Sequence, residues 1–309
     1  MDWKTVEEKI GQDDLKKWDR KVSGEQLQVS RAAALEVADG QGPTGCYALS
    51  DLATGQMCQR LGIPVAYYRR LPGEMKSVVA NFDLNRLNGK SYLLRGKGNW
   101  VRGFLSAEYV AYNNSQIAET VQGLLREGAV SVKSFVLEET HMYLKIISEE
   151  IVDPASGLKA GIMVGNSEVG LGSVSVEPFV FRQPCTNDLI VAEEIAFRQA
   201  HIHFTVQELN RRMAEAIGEG FQVASSVLDA FLKTHQEPVE DPLETIRKIA
   251  EARKFSQKFT DEAVGSYLSE PEPSRFGVIN AFTRAAEGLG PIQRIEMERF
   301  AGTLLESPL

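Results

Sequence analysis

The stretch "MVGNSEVGLGSVSVEPFVFRQPCTND", residues 163–188, decides the fold class of this chain. Its glycines lie between two strand-like runs, and Val174 and Val176 alternate with polar residues in the period-two pattern of a half-buried strand. A phosphate-binding loop would need a helix directly after the glycines, and the stretch contains no Gly-Lys-Ser or Gly-Lys-Thr. The stretch is therefore predicted to form the central strand pair of a sheet, with Gly170 and Gly172 in the turn.

The composition predicts a globular cytoplasmic protein. The chain has 309 residues, of which 43% are hydrophobic, enough for the core of one large domain or two ordinary ones. No apolar run approaches the ~20 residues of a membrane span, so no membrane association is expected, and the first residues are too polar for a signal peptide. Cys46, Cys58 and Cys185 are widely spaced without a Cys-x-x-Cys motif, which predicts reduced thiols and no zinc knuckle.

Charge is distributed unevenly along the chain. The net charge of −8 argues against wholesale coating by nucleic acid. Residues 67–104 nevertheless carry eight Lys and Arg residues against two acids, whereas residues 235–309 carry thirteen acids against nine Lys and Arg residues. A basic segment and an acidic tail region are therefore expected.

The order of elements predicts an α+β fold. A β-hairpin and a helix precede four strand-like runs with short connections, which is typical of an antiparallel meander, and everything after residue 204 follows a helical pattern. The residues divide into a predicted N-terminal helical arm (1–40), an α+β core domain (41–204) and a helical C-terminal region (205–309). An antiparallel sheet with packed helices, followed by a mostly helical part, is the expected architecture.

The run "SYLLRGKGNWVRGFLS", residues 91–106, predicts the hairpin and a candidate binding surface. If residues 96–99 form the loop, alternation of side chains places four residues on one face, namely Arg95, Trp100, Arg102 and Phe104. The opposite, core-like face would carry Tyr92, Leu94, Val101 and Leu105. Guanidinium groups interleaved with aromatic rings are typical of surfaces that bind unpaired nucleic acid. The alternative is that the rings pack under a helix while the arginines bond to carboxylates.

A pair of short helices is predicted in residues 51–70, with a stop near Gly62 and a turn at Ile63-Pro64. The pattern is compatible with a helix-turn-helix that reads duplex DNA. An ordinary helical hairpin is the favoured interpretation, with four apolar residues buried in the core: Leu52, Met57, Leu61 and Tyr67.

Few residues suggest catalysis or metal binding. His201 and His203 would share a face of a strand and could bind a metal with Cys185, but hydrogen-bonded structural histidines are the more common case. Cys185 could act as a nucleophile with His201, although no base and orienting group are placed together at this spacing. We therefore assign no catalytic residue, cofactor or metal ligand, and expect the protein not to be an enzyme.

Several runs together resemble a known family. "GIPVAYYRRL", "YLLRG", "WVRGFLS" and "NSEVGLGSVSVEPFVFRQPCTNDLI" resemble the phage/plasmid-like family catalogued as domain of unknown function 932, over about residues 45–290. Where the family often has Arg-His-Thr after the Cys-Thr-Asn, this chain has "AFRQAHIHFT". The resemblance implies a phage, prophage or plasmid setting and no established activity. The order of elements is also similar, as a fold-level analogy, to Rad-type single-strand annealing proteins.

These observations lead to the hypothesis of a non-catalytic protein that binds single-stranded DNA and promotes strand annealing as a homo-oligomer. Phosphate contacts are predicted for Arg69, Arg70, Lys90, Arg95, Lys97 and Arg102, base stacking for Trp100, and an extension of the basic surface for Arg182. One alternative is a helix-turn-helix regulator of duplex DNA. The other is an interaction or host-takeover protein whose acidic helices bind a host factor without DNA.

Overall fold

The protein has an α+β fold, as the sequence predicted, in a computed structural model that describes residues 1–38, 45–87, 89–126, 130–153, 157–182, 188–190, 196–305 and 307. The helices are α1 Trp3–Asp14, α2 Asp51–Leu61, α3 Val65–Arg70, α4 Gly73–Arg86, α5 Asn114–Arg126, α6 Val206–Lys233, α7 Pro242–Ala252, α8 Gln257–Ser269, α9 Arg275–Ala285 and α10 Pro291–Thr303. The strands are β1 Lys17–Ser23, β2 Leu27–Val29, β3 Leu35–Val37, β4 Gly45–Leu49, β5 Ser91–Lys97, β6 Trp100–Ser106, β7 Val130–Leu137, β8 Met142–Asp153, β9 Leu158–Asn166, β10 Val174–Arg182, β11 Asp188–Ile190 and β12 Phe197–Gln199. None of the described helices is long and apolar enough to cross a membrane.

The first sheet has the strand order β1-β5-β6-β4-β3-β2 and is antiparallel except for the parallel pair β4 and β6. Helices α2, α3 and α4 cover one face, where Met57, Leu61, Tyr68 and Leu84 join the side chains of the sheet in one hydrophobic core. Helix α2 begins at the Ser50 cap, whose Oγ accepts from the Ala53 amide, and ends at Gly62, whose φ of 74° gives the left-handed C-cap.

The second sheet has the order β11-β10-β9-β8-β7, with β12 paired to β10. Strands β7 to β10 form the predicted antiparallel meander, and β9 pairs with β10 as the quoted stretch predicted. The prediction of a half-buried β10 was wrong, because its residues from Val174 to Val180 are buried on both faces. Helix α6 covers one face, and α10 covers the other, where Arg299 pairs with the fully buried Glu177 at 2.7 Å.

The N-terminal region is more than the helical arm that the sequence predicted. Helix α1 forms and buries Val6 and Ile10 against the core of the second sheet. Residues 17–37, however, contribute strands β1, β2 and β3 to the first sheet. Hydrogen bonds to the β5 backbone therefore override the weak helical pattern of this charged run, as tertiary context often does.

The C-terminal helices follow the predicted signals closely. Helix α6 spans 28 residues, as the long periodic run indicated, and Asp241, Ser274 and Pro291 mark the starts of α7, α9 and α10. Helix α8 begins earlier than the predicted Thr260-Asp261, because Ser256 caps it by accepting from the Phe259 amide. Since α6 also packs on the second sheet, the predicted boundary at residue 204 runs through a shared hydrophobic core.

Candidate functional site

The hairpin of β5 and β6 forms, but its faces differ from the prediction. The turn contains only Gly98 and Asn99, with Gly98 at a φ of 56°, and Lys97 pairs with Trp100. A β-bulge at Arg95 and Gly96 then shifts the register, so that Arg95 lies opposite Gly103. Each side chain of β6 after the bulge lies on the opposite face from the one that strict alternation predicts. The predicted faces of Phe104 and Leu105 were therefore wrong.

The consequence is that the aromatic ring of Phe104 belongs to the core rather than to a binding surface. Phe104 is fully buried with Leu94 and Tyr92 under the helices of the first sheet. Leu105 lies instead in a small cluster with Leu93 and Tyr109 on the opposite face. Of the predicted aromatic pair, only Trp100 remains accessible, with 55% of its surface exposed.

Arg95 does not lie on an open surface, contrary to the prediction. It is only 3% exposed, and its guanidinium donates to Asp19 at 2.8 Å, to the backbone carbonyl of Glu168 at 2.8 Å and to the side chain of Asn113. Burial alone would lower the pKa of Arg95, but the Asp19 and Glu168 carboxylates raise it, so the group stays charged. Its donors are committed inside the protein.

Arg102 is also buried, at 5% exposure, and was wrongly predicted to face solvent. Its Nη1 lies 3.2 Å from the Oε2 of Glu168, and its Nη2 donates to the backbone carbonyl of Glu139 at 2.9 Å. The same Glu168 oxygen lies 2.8 Å from the Nζ of Lys17, and the other carboxylate oxygen accepts from the Asn114 amide at 2.9 Å. Glu168 is therefore a buried anion that fixes cations from two separate strands.

Glu168 belongs to the 167–173 loop, which connects β9 to β10 and reaches across to the first sheet. The backbone carbonyl of Ser167 accepts from Tyr109 at 2.9 Å, and that of Val169 accepts from the side chain of Gln56 on α2 at 2.8 Å. Gly170 has a φ of 78°, the left-handed region that the predicted turn required. The sequence analysis missed the role of Glu168, because its partners lie far away along the chain.

Lys97 and Trp100 border a groove of about 740 Å³ at the tip of the hairpin. Lys97 keeps 38% of its side chain exposed, although its Nζ lies 2.7 Å from Asp13. The other charged residues of the groove include Asp51, Glu138 and Glu139, all exposed. This lining repels polyanions, so the groove itself is a poor path for a phosphate backbone.

Exposed cations and aromatic rings also occur on α3, on α4 and directly after α4. Arg69 and Arg70 at the end of α3 are exposed, and in the described part of the chain their hydrogen bonds go to the backbone carbonyls of Asp51 and Ala66 rather than to carboxylates. Tyr67 is 45% exposed and Phe82 on α4 is 68% exposed, while Lys90 after α4 is exposed. We call Tyr67, Arg69, Arg70, Phe82 and Lys90 the α3–α4 surface.

Helix α4 was not predicted from the sequence. Its residues Met75, Val78 and Phe82 recur at i, i+3 and i+7 and form an exposed apolar stripe, which Arg86 continues one turn later. Arg86 is paired with Asp83 at 2.9 Å and keeps 57% of its side chain exposed. The signal was present in this spacing and in Pro72, which precedes the first helical residue.

Helices α2 and α3 are separated at Gly62, Ile63 and Pro64, as predicted, and Leu52 is only half-buried. Met57 and Leu61 are buried as predicted, whereas Tyr68, and not Tyr67, fills the core. Helix α3 has only six residues, shorter than a typical recognition helix.

The remaining candidate residues are engaged inside the protein or lie outside the described residues. Arg182 pairs with Glu270 at 2.7 Å and lies over the Phe276 ring. Arg182 therefore does not extend the basic surface, contrary to the prediction. The ring nitrogens of the buried His201 lie 3.2 Å from the Val110 carbonyl and 3.1 Å from the Asn166 side chain. His203 is exposed and outside any strand, so the two histidines do not share a strand face. Cys185 lies outside the described residues, and within the described ranges no three His, Cys, Asp or Glu side chains are grouped to hold a metal.

No family model matches the chain, and no curated protein or solved structure gives a significant match. The resemblance to the phage/plasmid-like family and to single-strand annealing proteins therefore stays a prediction.

Proposed function

We propose that this protein binds single-stranded DNA, without catalysing a reaction, through the α3–α4 surface. The observation that carries the proposal is that Arg69 and Arg70 are exposed and have no carboxylate partner among the described residues, while the consecutive helices α3 and α4 also carry exposed aromatic rings. The buried hairpin arginines Arg95 and Arg102 hold the fold together in this proposal and do not contact DNA.

The chemistry of the α3–α4 surface matches the two parts of an unpaired strand. Arg69, Arg70 and Lys90 offer positive charge that displaces counterions from phosphates. Tyr67 and Phe82 offer flat faces on which bases can stack, and only unpaired bases expose their own faces. The arrangement therefore favours single strands over duplex DNA.

Trp100 is the one residue of the predicted hairpin surface that fits this path. It borders the same groove as Asp51, whose backbone carbonyl is 3.5 Å from the Nη2 of Arg69. In this proposal a strand bound at the α3–α4 surface passes Arg69 and stacks a base on the exposed indole of Trp100 at the border of the groove. Quenching of indole fluorescence reports this contact.

The double variant Arg69→Glu, Arg70→Glu is expected to lose most of its affinity for an oligothymidylate strand. Because each lost phosphate contact on a single strand removes about 0.7 from the slope of log affinity against log salt, two lost contacts reduce the slope by about 1.4. Filter binding over a salt series measures both quantities. The matched control is Lys248→Glu, Lys258→Glu, which makes the same charge change at exposed positions on α7 and α8.

Phe82→Ala separates stacking from charge in the same assay. It is expected to cost about 1–3 kcal/mol of binding free energy while leaving the salt slope unchanged. Equal losses in the arginine variant and the lysine control would contradict the proposal. Tighter binding of a duplex than of a single strand would instead favour the helix-turn-helix alternative.

The annealing step requires a homo-oligomer that holds two strands at once. Measurement of particle mass with and without oligonucleotide tests it, since a ring or filament supports annealing and an inert monomer does not.

The exposed apolar stripe of α4 favours a second candidate function, binding of a protein partner. Capture of a host protein that persists after nuclease treatment, together with absent DNA binding, would support that alternative.

A further inference from the structure

A buried and a half-buried lysine converge on carboxylates between the second sheet and α10. Lys145 on β8 lies 2.6 Å from Asp188 on β11 and 2.6 Å from Glu298 on α10. Lys133 on the neighbouring strand β7 contacts the other oxygen of Asp188. Asp188 and Glu298 are 2% and 0% exposed, so both carboxylates are removed from water. This cluster is separate from the α3–α4 surface.

A cavity of about 430 Å³ opens beside these amines. Both lysines and Asp188 line it, and Tyr143 and Ser134 add hydroxyl groups. The side chain of Lys133 keeps 13% of its surface exposed, whereas that of Lys145 keeps 5%. The Nζ of Lys133 also lies 3.8 Å from the centre of the Phe181 ring. Lys133 is therefore the amine that a small molecule in the cavity can reach.

The surroundings favour the neutral form of Lys133. Burial penalises its ammonium, and the adjacent Lys145 repels it, which lowers the pKa of Lys133 to about 6. Glu298 and Glu287 act in the opposite direction, but burial and the neighbouring cations outweigh them. A desolvated lysine next to a second cation is a recognised arrangement for an amine nucleophile at neutral pH.

We propose that Lys133 is a nucleophilic amine that captures small aldehydes or ketones in this cavity as an imine. The nitrogen lone pair forms the new bond to the carbonyl carbon, and the carbonyl oxygen leaves as water with both amine hydrogens. Asp188, in contact with the amine, is placed to relay a proton to the departing oxygen. No electrons are exchanged, so the step needs no oxidant or reductant.

Reductive trapping tests the proposal on the unmodified protein. Propanal is added with cyanoborohydride near pH 7, the hydride reduces each imine to a propylamine, and peptide mass spectrometry gives the rate at every lysine. Lys133 is expected to react at least about tenfold faster than Lys258, whose side chain is 87% exposed, because a surface amine is almost fully protonated at this pH. A slower reaction at Lys133 than at Lys258 would show a purely structural ammonium and overturn the proposal.

The pH dependence of trapping gives a second readout. The rate at Lys133 is expected to reach half of its maximum near pH 6, while surface lysines continue to gain reactivity above pH 9. The charged groups around Lys133 are Asp188 and Lys145 on the sheet, Arg294 and Glu298 on α10, and Glu287 between α9 and α10. A profile that follows the surface lysines would contradict the inference.

Variants of Lys133 and Lys258 identify the lysine that forms the fast adduct. Lys133→Arg is expected to abolish the fast adduct, whereas Lys258→Arg retains it. If Lys133→Arg fails to fold, the peptide map of the unmodified protein still decides. A bulky aldehyde that exceeds the cavity should lose the preference for Lys133, and an unchanged preference would place the reaction outside the cavity.

Discussion

The variant Glu168→Ala is expected to lose about 3–5 kcal/mol of the free energy of unfolding. The carboxylate is 3% exposed, and its removal leaves Arg102 as a buried, poorly compensated cation, whereas Lys17 keeps its contacts with Asp13 and Asp14. The variant also removes the acceptor of the Asn114 amide. Urea denaturation monitored by circular dichroism measures the loss.

Two control variants test whether the loss of stability comes from the buried charge of Glu168. Glu168→Gln keeps the size of the side chain and an oxygen for the Asn114 amide, so its loss should be smaller than that of alanine. Glu262→Ala breaks an exposed pair with Lys258 and is expected to change stability by only about 0.5 kcal/mol. A loss near 1 kcal/mol for Glu168→Ala would show that Glu168 is not the central anion of this cluster.

The same carboxylate makes stability sensitive to acid. Burial would raise the pKa of Glu168, but Lys17 and Arg95 outweigh burial, and the pKa lies below its usual value. Because the folded state holds the proton less tightly than the unfolded state, the contribution is present at neutral pH and is lost as the pH falls below about 4.5. Urea midpoints measured from pH 7 downwards should therefore decline less in Glu168→Gln than in the unmodified protein.

The variant Phe282→Ala is expected to cost about 3–5 kcal/mol, because it opens a cavity in the C-terminal core. Phe282 on α9 is fully buried, with ring centroids 5.4 Å from Phe300 and 6.5 Å from Phe259. The matched control is Phe82→Ala, since Phe82 is 68% exposed and should change stability by less than about 0.5 kcal/mol. Comparable losses in the two variants, measured by thermal unfolding, would refute this description of the core.

The sequence predicted those parts of the fold that depend on local pattern. The meander, the hairpin and the long helix α6 follow from alternation, from turn residues and from apolar spacing, all of which act within a few residues. Caps such as Ser274 and Asp241 fixed helix starts for the same reason. The pattern of β10 misled, because a strand covered by helices on both faces also buries its polar positions when a partner such as Arg299 reaches them.

The candidate site was harder to predict because its residues are positioned by distant partners. A single bulge beside Arg95 changed the face of every later residue of β6, and alternation carries no signal for a bulge. Arg102 is buried because Glu168 arrives from a loop 66 positions later in the chain. Arg69, Arg70 and Lys90 are exposed, as their predicted phosphate contacts require, and those contacts stay a prediction, whereas Phe82 was missed with its helix.

The 167–173 loop has a consequence for how the molecule comes apart. It leaves the second sheet, accepts hydrogen bonds from Tyr109 and Gln56, and supplies the carboxylate that binds Arg102 of the first sheet. If one sheet unfolds alone, polar groups of the other sheet lose their hydrogen-bond partners while they remain in a nonpolar environment. Partly unfolded states are therefore unfavourable. The two sheets should therefore unfold in one cooperative transition, with a single calorimetric peak whose van't Hoff enthalpy equals the calorimetric enthalpy.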